Sequence, residues 1–264
     1  TDTYKTSTNK DMSYLGVIGA LLIGLSLGLL GSGGSILTVP VLIYLFEQPE
    51  RLAIASSLAI VGFIAFAAAI PNIRKRQVNW RCVVLFGIPG GIGTYFGAFI
   101  SQFVLPAIQL ISFALVMLTA AFFMLKNKTM DLSTGSTQRS HVKIIADGLV
   151  VGALTGFVGV GGGFLIVPAL VLLARLPMHQ AIGTSLMIIA LKSATGFVKY
   201  LDVLAQEHLS LDWQTIFVVT LIGILGTFSG NWLGSRISPS QLKKGFGLFL
   251  IPMALFIIFQ NFPR

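Results

Sequence analysis

The chain has 264 residues, 55% of them hydrophobic and only 10% charged, with a formal net charge of +9 and a mean hydropathy of +0.87. A soluble domain carries about 25% charged residues, so the composition excludes that class and points to a polytopic helical membrane protein; the ~10-residue alternating segments of a β-barrel are absent. A single cysteine, Cys82, excludes an internal disulfide, a cysteine-ligated metal cluster and a relay of paired cysteines within one chain.

Residues 1–13 form a polar N-terminal tail without the apolar core of a signal peptide. The absence of an initiating Met points to processing or an expression-vector remnant, so the tail is set aside from the fold. Apolar segments follow at 14–30, 35–46, 52–70, 83–103 and 107–125. A polar linker, 126–143, leads to further segments at 144–158, 163–174, 181–198, 214–235 and 241–260. The organisation expected is a first transmembrane repeat over 14–125, a cytoplasmic linker over 126–143 and a second repeat over 144–264. Pro89 and Pro252 are expected to kink their helices.

The two halves are copies. GLLGSGGSILTVPVL at 28–42 matches GFVGVGGGFLIVPAL at 156–170 in eight of fifteen positions, and the same shift carries Ser56 and Ser57 onto Thr184 and Ser185. Five residues inserted in the second half then bring Trp80 onto Trp213, Gly93 and Thr94 onto Gly226 and Thr227, Gly97 onto Gly230 and Pro106 onto Pro239. Shared apolar composition does not place glycine, proline and tryptophan in order, so the pattern reads as an internal duplication.

Charge sets the relative direction of the copies. The loop with Arg74, Lys75, Arg76 and Arg81 corresponds to one with Asp202, Glu207 and Asp212 against Lys199. The uncharged turn at 104–107 corresponds to one carrying Arg236, Lys243 and Lys244, and the turn with Glu47, Glu50 and Arg51 to one with Arg175 and His179. Under the positive-inside rule the halves cross the membrane in opposite directions. Each half then needs an odd number of crossings. The fold expected is therefore all-α, with two inverted repeats of about five transmembrane or re-entrant helices each. The helices are broken at the Gly-rich motifs, and both termini lie outside.

Irregular backbone at membrane depth is tolerated only inside protein or along a wet cavity. Gly31, Gly33 and Gly34 can break a helix, and one restarting near Ser35 directs its positive N-terminal end at the break. The equivalent glycines, Gly161, Gly162 and Gly163, approach from the other side. Together they suggest an anion site of bare amides and hydroxyls, with Ser32 and Ser35 beside it. Close helix packing is the competing reading. A dinucleotide fingerprint is rejected, because neither the preceding strand nor the acidic residue about 20 positions on is present.

Lys192 lies inside a span, where a cation costs about 2.5–3.5 kcal/mol on insertion scales. Its repeat partner is Ile64, so the charge is not demanded by the fold, and an anion-facing role is weighed against snorkelling. Ser56, Ser57, Thr184 and Ser185 start equivalent helices and offer hydroxyls to the same cavity, although back-bonding to helix carbonyls competes. Asn231 is a candidate for lining the path, and Trp232 beside it reads as interfacial. The nine acids all lie outside the deep parts of the spans, and His141, His179 and His208 fall in loops. No metal site, cofactor or catalytic residue is expected, and neither an enzyme nor a proton pump with a buried carboxylate relay has residues to work with.

The duplicated G-x-G-G-x-x-x-x-V-P-x-L pattern (31–42 and 159–170), with ASSL at 55–58 and GTSL at 183–186, resembles the TauE/SafE family over residues 14–260. The resemblance implies export of small sulfur oxyanions, sulfite or an organosulfonate such as sulfoacetate, across the bacterial inner membrane. Related thiosulfate-uptake channels pass substrate along cysteines, an activity not expected with Cys82 alone. In this reading substrate binds between the two breaks, Lys192 supplies charge, and the repeats rock to expose the site alternately. The partners expected are the small anion, the lipid bilayer and a second chain in a homodimer, without nucleic acid. The alternatives are export of another small anion, a cation or metal exporter lacking the required carboxylates, and a non-transporting membrane sensor or assembly protein.

Overall fold

In the computed structural model, residues 14–101, 103–104, 106–126, 141–158, 163–206 and 210–261 are described. They form ten helices: α1 (Tyr14–Leu30), α2 (Gly33–Tyr44), α3 (Glu50–Arg74), α4 (Trp80–Ser101), α5 (Pro106–Lys126), α6 (His141–Val158), α7 (Gly163–Leu172), α8 (Met178–Gln206), α9 (Trp213–Arg236) and α10 (Pro239–Asn261). The ten apolar segments each become one helix. Three of them, Leu52–Arg74, Met178–Val198 and Trp213–Arg236, are long and apolar enough to cross a membrane on their own.

The helices outrun the apolar runs where packing continues beyond them. Leu204, near the end of α8, is buried with Leu52 and Ala55 at the start of α3, with Tyr200 and Leu211 packed against them. That contact carries α8 to Gln206, well past the expected end at 198. α3 runs through Pro71 to Arg74, and Lys75 and Arg76 close it by donating to Pro71 and Ile73 carbonyls. His141 and His179 therefore sit in first helical turns and not in loops. α4 and α10 run through Pro89 and Pro252.

Backbone-to-backbone glycine contacts hold the bundle together. Gly24 meets Gly223 and Gly28 meets Thr227, so α1 and α9 run parallel in direct contact. Gly148 meets Phe86 and Gly152 meets Gly90, and α4 and α6 pair in the same way. A Cβ on Gly226 would stand 2.5 Å from the Leu21 carbonyl oxygen, and one on Gly148 2.5 Å from that of Phe86. The repeated glycines at 93/226 and 97/230 are thus packing residues, with neighbours too close for any side chain. Thr227 fastens its pair with a hydrogen bond to the Gly24 carbonyl at 3.1 Å.

α3 and α8 cross antiparallel, since Gly62 meets Ser193 while Leu58 meets Gly196. Exchanging each helix for the one five places along the chain turns the α1–α9 pair into the α4–α6 pair and returns α3–α8 to itself. Several contacts gather the cationic ends: Arg81 pairs with His141, the Asn79 N–H donates to Thr184 Oγ1 at 2.9 Å, and Asn72 bonds Asn231 at 3.5 Å. One end of the bundle therefore collects Arg74, Lys75, Arg76, Arg81, Lys143, His179 and Arg236.

Burial is arranged for lipid. Phe63, Phe96, Phe217 and Phe228 are exposed on the outside, whereas Ser32, Thr38, Ser56, Thr184 and Ser185 are wholly buried. Trp232 is exposed with the Arg236 guanidinium 3.9 Å above its ring, the pairing expected where a bilayer meets water.

Candidate functional site

The first break is sharp. Gly31 adopts φ +77°, a left-handed conformation that favours glycine, and its N–H closes α1 by donating to the Leu27 carbonyl at 2.9 Å. A Cβ at Gly31 would also stand 2.9 Å from the Ile182 Cα. Ser32 stands at the N-cap position of α2 without a side-chain capping bond, and the helix restarts at Gly33, two residues before the expected point. Gly34 leaves room for the α1 backbone at Ile23 and the Leu27 side chain. Ser35 Oγ donates to the Ser32 carbonyl at 2.8 Å. The Ser32 hydroxyl is fully buried and has no hydrogen-bond partner among the described residues. A buried hydroxyl left unpaired is destabilising by about 1–3 kcal/mol.

The start of α7 reaches the same place. A Cβ at Gly163 would lie 2.6 Å from Ser35 Oγ and 3.2 Å from Ile189 Cδ1. The N-terminal ends of α2 and α7, one from each half, thus meet at Ser35. Both are regular helices over Gly33–Tyr44 and Gly163–Leu172, so both direct first-turn N–H groups to that point, the Ser35 N–H also donating to the Ser32 carbonyl at 3.4 Å. Gly161 and Gly162 lie outside the described residues.

α8 supplies the wall. Ser185 Oγ donates to the Gly31 carbonyl at 3.0 Å and to its own Ile182 carbonyl at 2.8 Å. Ile189, one turn on, packs against Gly163. Lys192 follows on the same face, at the midpoint of α8, since residues seven apart complete two helical turns. Its Nζ donates to Thr94 Oγ1 at 3.4 Å, in the space left by Gly90 against the Gly148 carbonyl. Ile64 holds the equivalent place against Gly223 in the other half. Lys192 therefore stands about one turn along from the meeting of α2 and α7, towards α4.

The other sequence candidates make the following contacts among the described residues. Ser57 back-bonds to the Ile54 carbonyl at 2.7 Å. Ser56 is fully buried, its hydroxyl without a partner among the described residues, next to Ala55 and its contacts with Leu204. Thr184 accepts from the Asn79 N–H and so pins the α3–α4 loop. Asn231 donates to the Ala68 carbonyl at 3.3 Å and lines a separate cleft at the cationic end. That cleft, of about 90 Å³, also draws on Asn72, Lys75, Gln77, His179 and Ser235. Asn231 apart, the sequence reading missed these residues. The available signal was Asn72, an amide in the last turn of α3 after a long apolar run, three residues before Lys75. Among the described residues no three His, Cys, Asp or Glu side chains come together.

The description "Sulfite exporter TauE/SafE" belongs to the family model that matches residues 16–257. The chain belongs to the TauE/SafE family. A probable membrane transporter protein of Xylella fastidiosa is 34% identical over 246 residues, covering 91% of this chain and 92% of the relative. One of Haemophilus influenzae is 29% identical over 258 residues (90% and 95%), and one of the archaeon Methanocaldococcus jannaschii 26% over 252 residues (90% and 94%). No solved structure matches. The TauE/SafE chain is accordingly a multi-pass membrane protein of a transporter family. The family-bearing glycines at 31 and 34 are the ones that shape the first break.

Proposed function

We propose that the protein exports a small sulfur oxyanion, sulfite or an organosulfonate, across the bacterial inner membrane, binding it where α2 and α7 begin. The observation that carries this reading is the fully buried, unpartnered Ser32 hydroxyl beside two converging helix starts. A compact anion accepts hydrogen bonds from amides and hydroxyls together, which compensates their desolvation. Lys192, one turn away on the wall of the site, adds a positive charge that a bare amide site lacks.

The reading treats the two halves as inverted repeats, a view supported by the antiparallel crossing of the equivalent helices α3 and α8. It takes the cationic end as cytoplasmic. An inside-negative potential contributes about 2.3 kcal/mol per charge per 100 mV, roughly fifty-fold, in the outward direction for an anion. No coupling ion is then required. The moving bodies in this account are the clasped pairs, α1 with α9 and α4 with α6. Each takes one helix from each half, so the halves themselves do not rock apart.

Proteoliposomes loaded with radiolabelled sulfite test the proposal. Efflux should follow a potassium-diffusion potential, and Ser32→Ala should reduce it with the fold intact. Efflux that needs an opposing proton gradient and ignores voltage would refute the uncoupled mechanism. Equal flux of phosphate or chloride would point to another small anion, and no flux of any anion to a sensor or assembly role.

A further inference from the structure

We propose that the polar cleft at the cationic end is a second oxyanion site, a loading station one helical turn from the first break. This rests on the anion-transport reading above. The cleft forms where the end of α3, the start of α8 and the last turns of α9 converge, and its lining includes Gly28 and Ile182. Ile182 is the residue that abuts Gly31, and Ser185, one turn on, bonds the Gly31 carbonyl. The cleft and the break thus share a wall.

The lining suits an anion. Lys75 and His179 bring cationic or proton-donating nitrogens, Asn72, Gln77 and Asn231 bring amides, and Ser235 a hydroxyl. Among the described residues no carboxylate lines it. Asn72 and Asn231 are held in register, for each donates to the Ala68 carbonyl, at 2.8 and 3.3 Å. The segment carrying Lys75 and Gln77 is fixed as well: the Gln77 N–H donates to Asn72 at 2.8 Å and the Asn79 N–H to Thr184 at 2.9 Å. Gly183 lets the Gln77 carbonyl approach α8, since a Cβ there would stand 2.8 Å from it. A water needs about 10–15 Å³ of such space. A cleft of about 90 Å³ therefore holds several waters or one compact oxyanion. The site discriminates by charge at the mouth, and the amides and hydroxyls of the break, with Lys192 one turn along, then take the anion.

Equilibrium dialysis of the purified full chain against radiolabelled sulfite counts the sites. Two per chain are expected. Lys75→Gln with His179→Gln should leave one, and Ser32→Ala should remove the other. Lys75→Arg should keep both. Ser235→Asp, a change at an exposed position, should weaken the cleft site at least tenfold while the melting temperature holds. Two sites surviving in both the Lys75→Gln/His179→Gln and Ser235→Asp proteins would overturn the proposal, as would a wild-type chain binding one sulfite that only Ser32→Ala removes. If Ser32→Ala leaves both sites while the cleft variants remove one, the reading of a site at the α2 and α7 starts falls and the cleft stands.

Discussion

Replacing Gly163 by Ala tests whether the two helix starts meet. The new Cβ would lie 2.6 Å from Ser35 Oγ, with Ile189 Cδ1 and Ser35 Cβ both at 3.2 Å. Ser35 Oγ has to swing away and give up its 2.8 Å bond to the Ser32 carbonyl, a net loss of about 1 kcal/mol. Residual overpacking adds about 1–3 kcal/mol, and the better helix propensity of Ala offsets at most about 1 kcal/mol. The balance is ~1–3 kcal/mol of destabilisation. At roughly 2–4 °C per kcal/mol for a chain of this size class, the melting temperature should fall by roughly 2–12 °C. Ser35→Gly removes both offending atoms, so Gly163→Ala should be nearly harmless in that background. A thermal-unfolding double-mutant cycle on detergent-purified protein should give a coupling of about 1–2 kcal/mol between residues 128 positions apart. Strictly additive losses would mean that α2 and α7 do not touch there, and the composite site would fail with them.

Four further outcomes follow from the same geometry. Gly97→Ala puts a methyl into the Ala153 backbone and should lower the melting temperature by several degrees, whereas Gly91→Ala, with open space around it, should shift stability by less than about 1 kcal/mol. Thr184→Val leaves the Asn79 N–H without its acceptor; stability measured by thermal unfolding should drop by about 1–3 kcal/mol. Asp212 accepts from the Gln214 and Thr215 N–H groups at 3.1 Å each, so Asp212→Ala should cost about 0.5–2 kcal/mol through loss of the α9 cap, with sulfite flux per folded molecule unchanged. Lys192→Met should cut sulfite-induced thermal stabilisation to what the cleft alone supplies while leaving the unliganded melting temperature level or higher, because an apolar side chain then fills the place Ile64 fills in the other half. Undiminished stabilisation by sulfite would take Lys192 out of the site.

Much of the architecture is readable from residue order because lipid enforces a simple grammar. Apolar runs must become helices, and glycine and proline mark their interruptions, so ten runs gave ten helices. The ends of α3 and α8 escaped that reading because hydropathy ends with the bilayer, whereas the backbone ladder continues for as long as Leu204 finds Leu52 and Ala55. Gly31 and Gly34 were legible as a break. The destination of Thr184 was not, since a hydroxyl's partner is fixed by a loop 105 residues away. Lys75 was read as a topology signal alone. Its second use appears only when the ends of α3, α8 and α9 come together, which no local pattern records.

The glycine clasps also bear on how such a chain comes to exist. α1 is made first, yet the groove that receives α9 stays open until more than two hundred residues have been synthesised. α4 waits for α6 over a shorter interval. Neither half, released alone, has a partner for its glycine face, so the order of membrane insertion imposes a kinetic interval in which bare backbone surfaces face lipid. Assembly of the first half is finished only by the second.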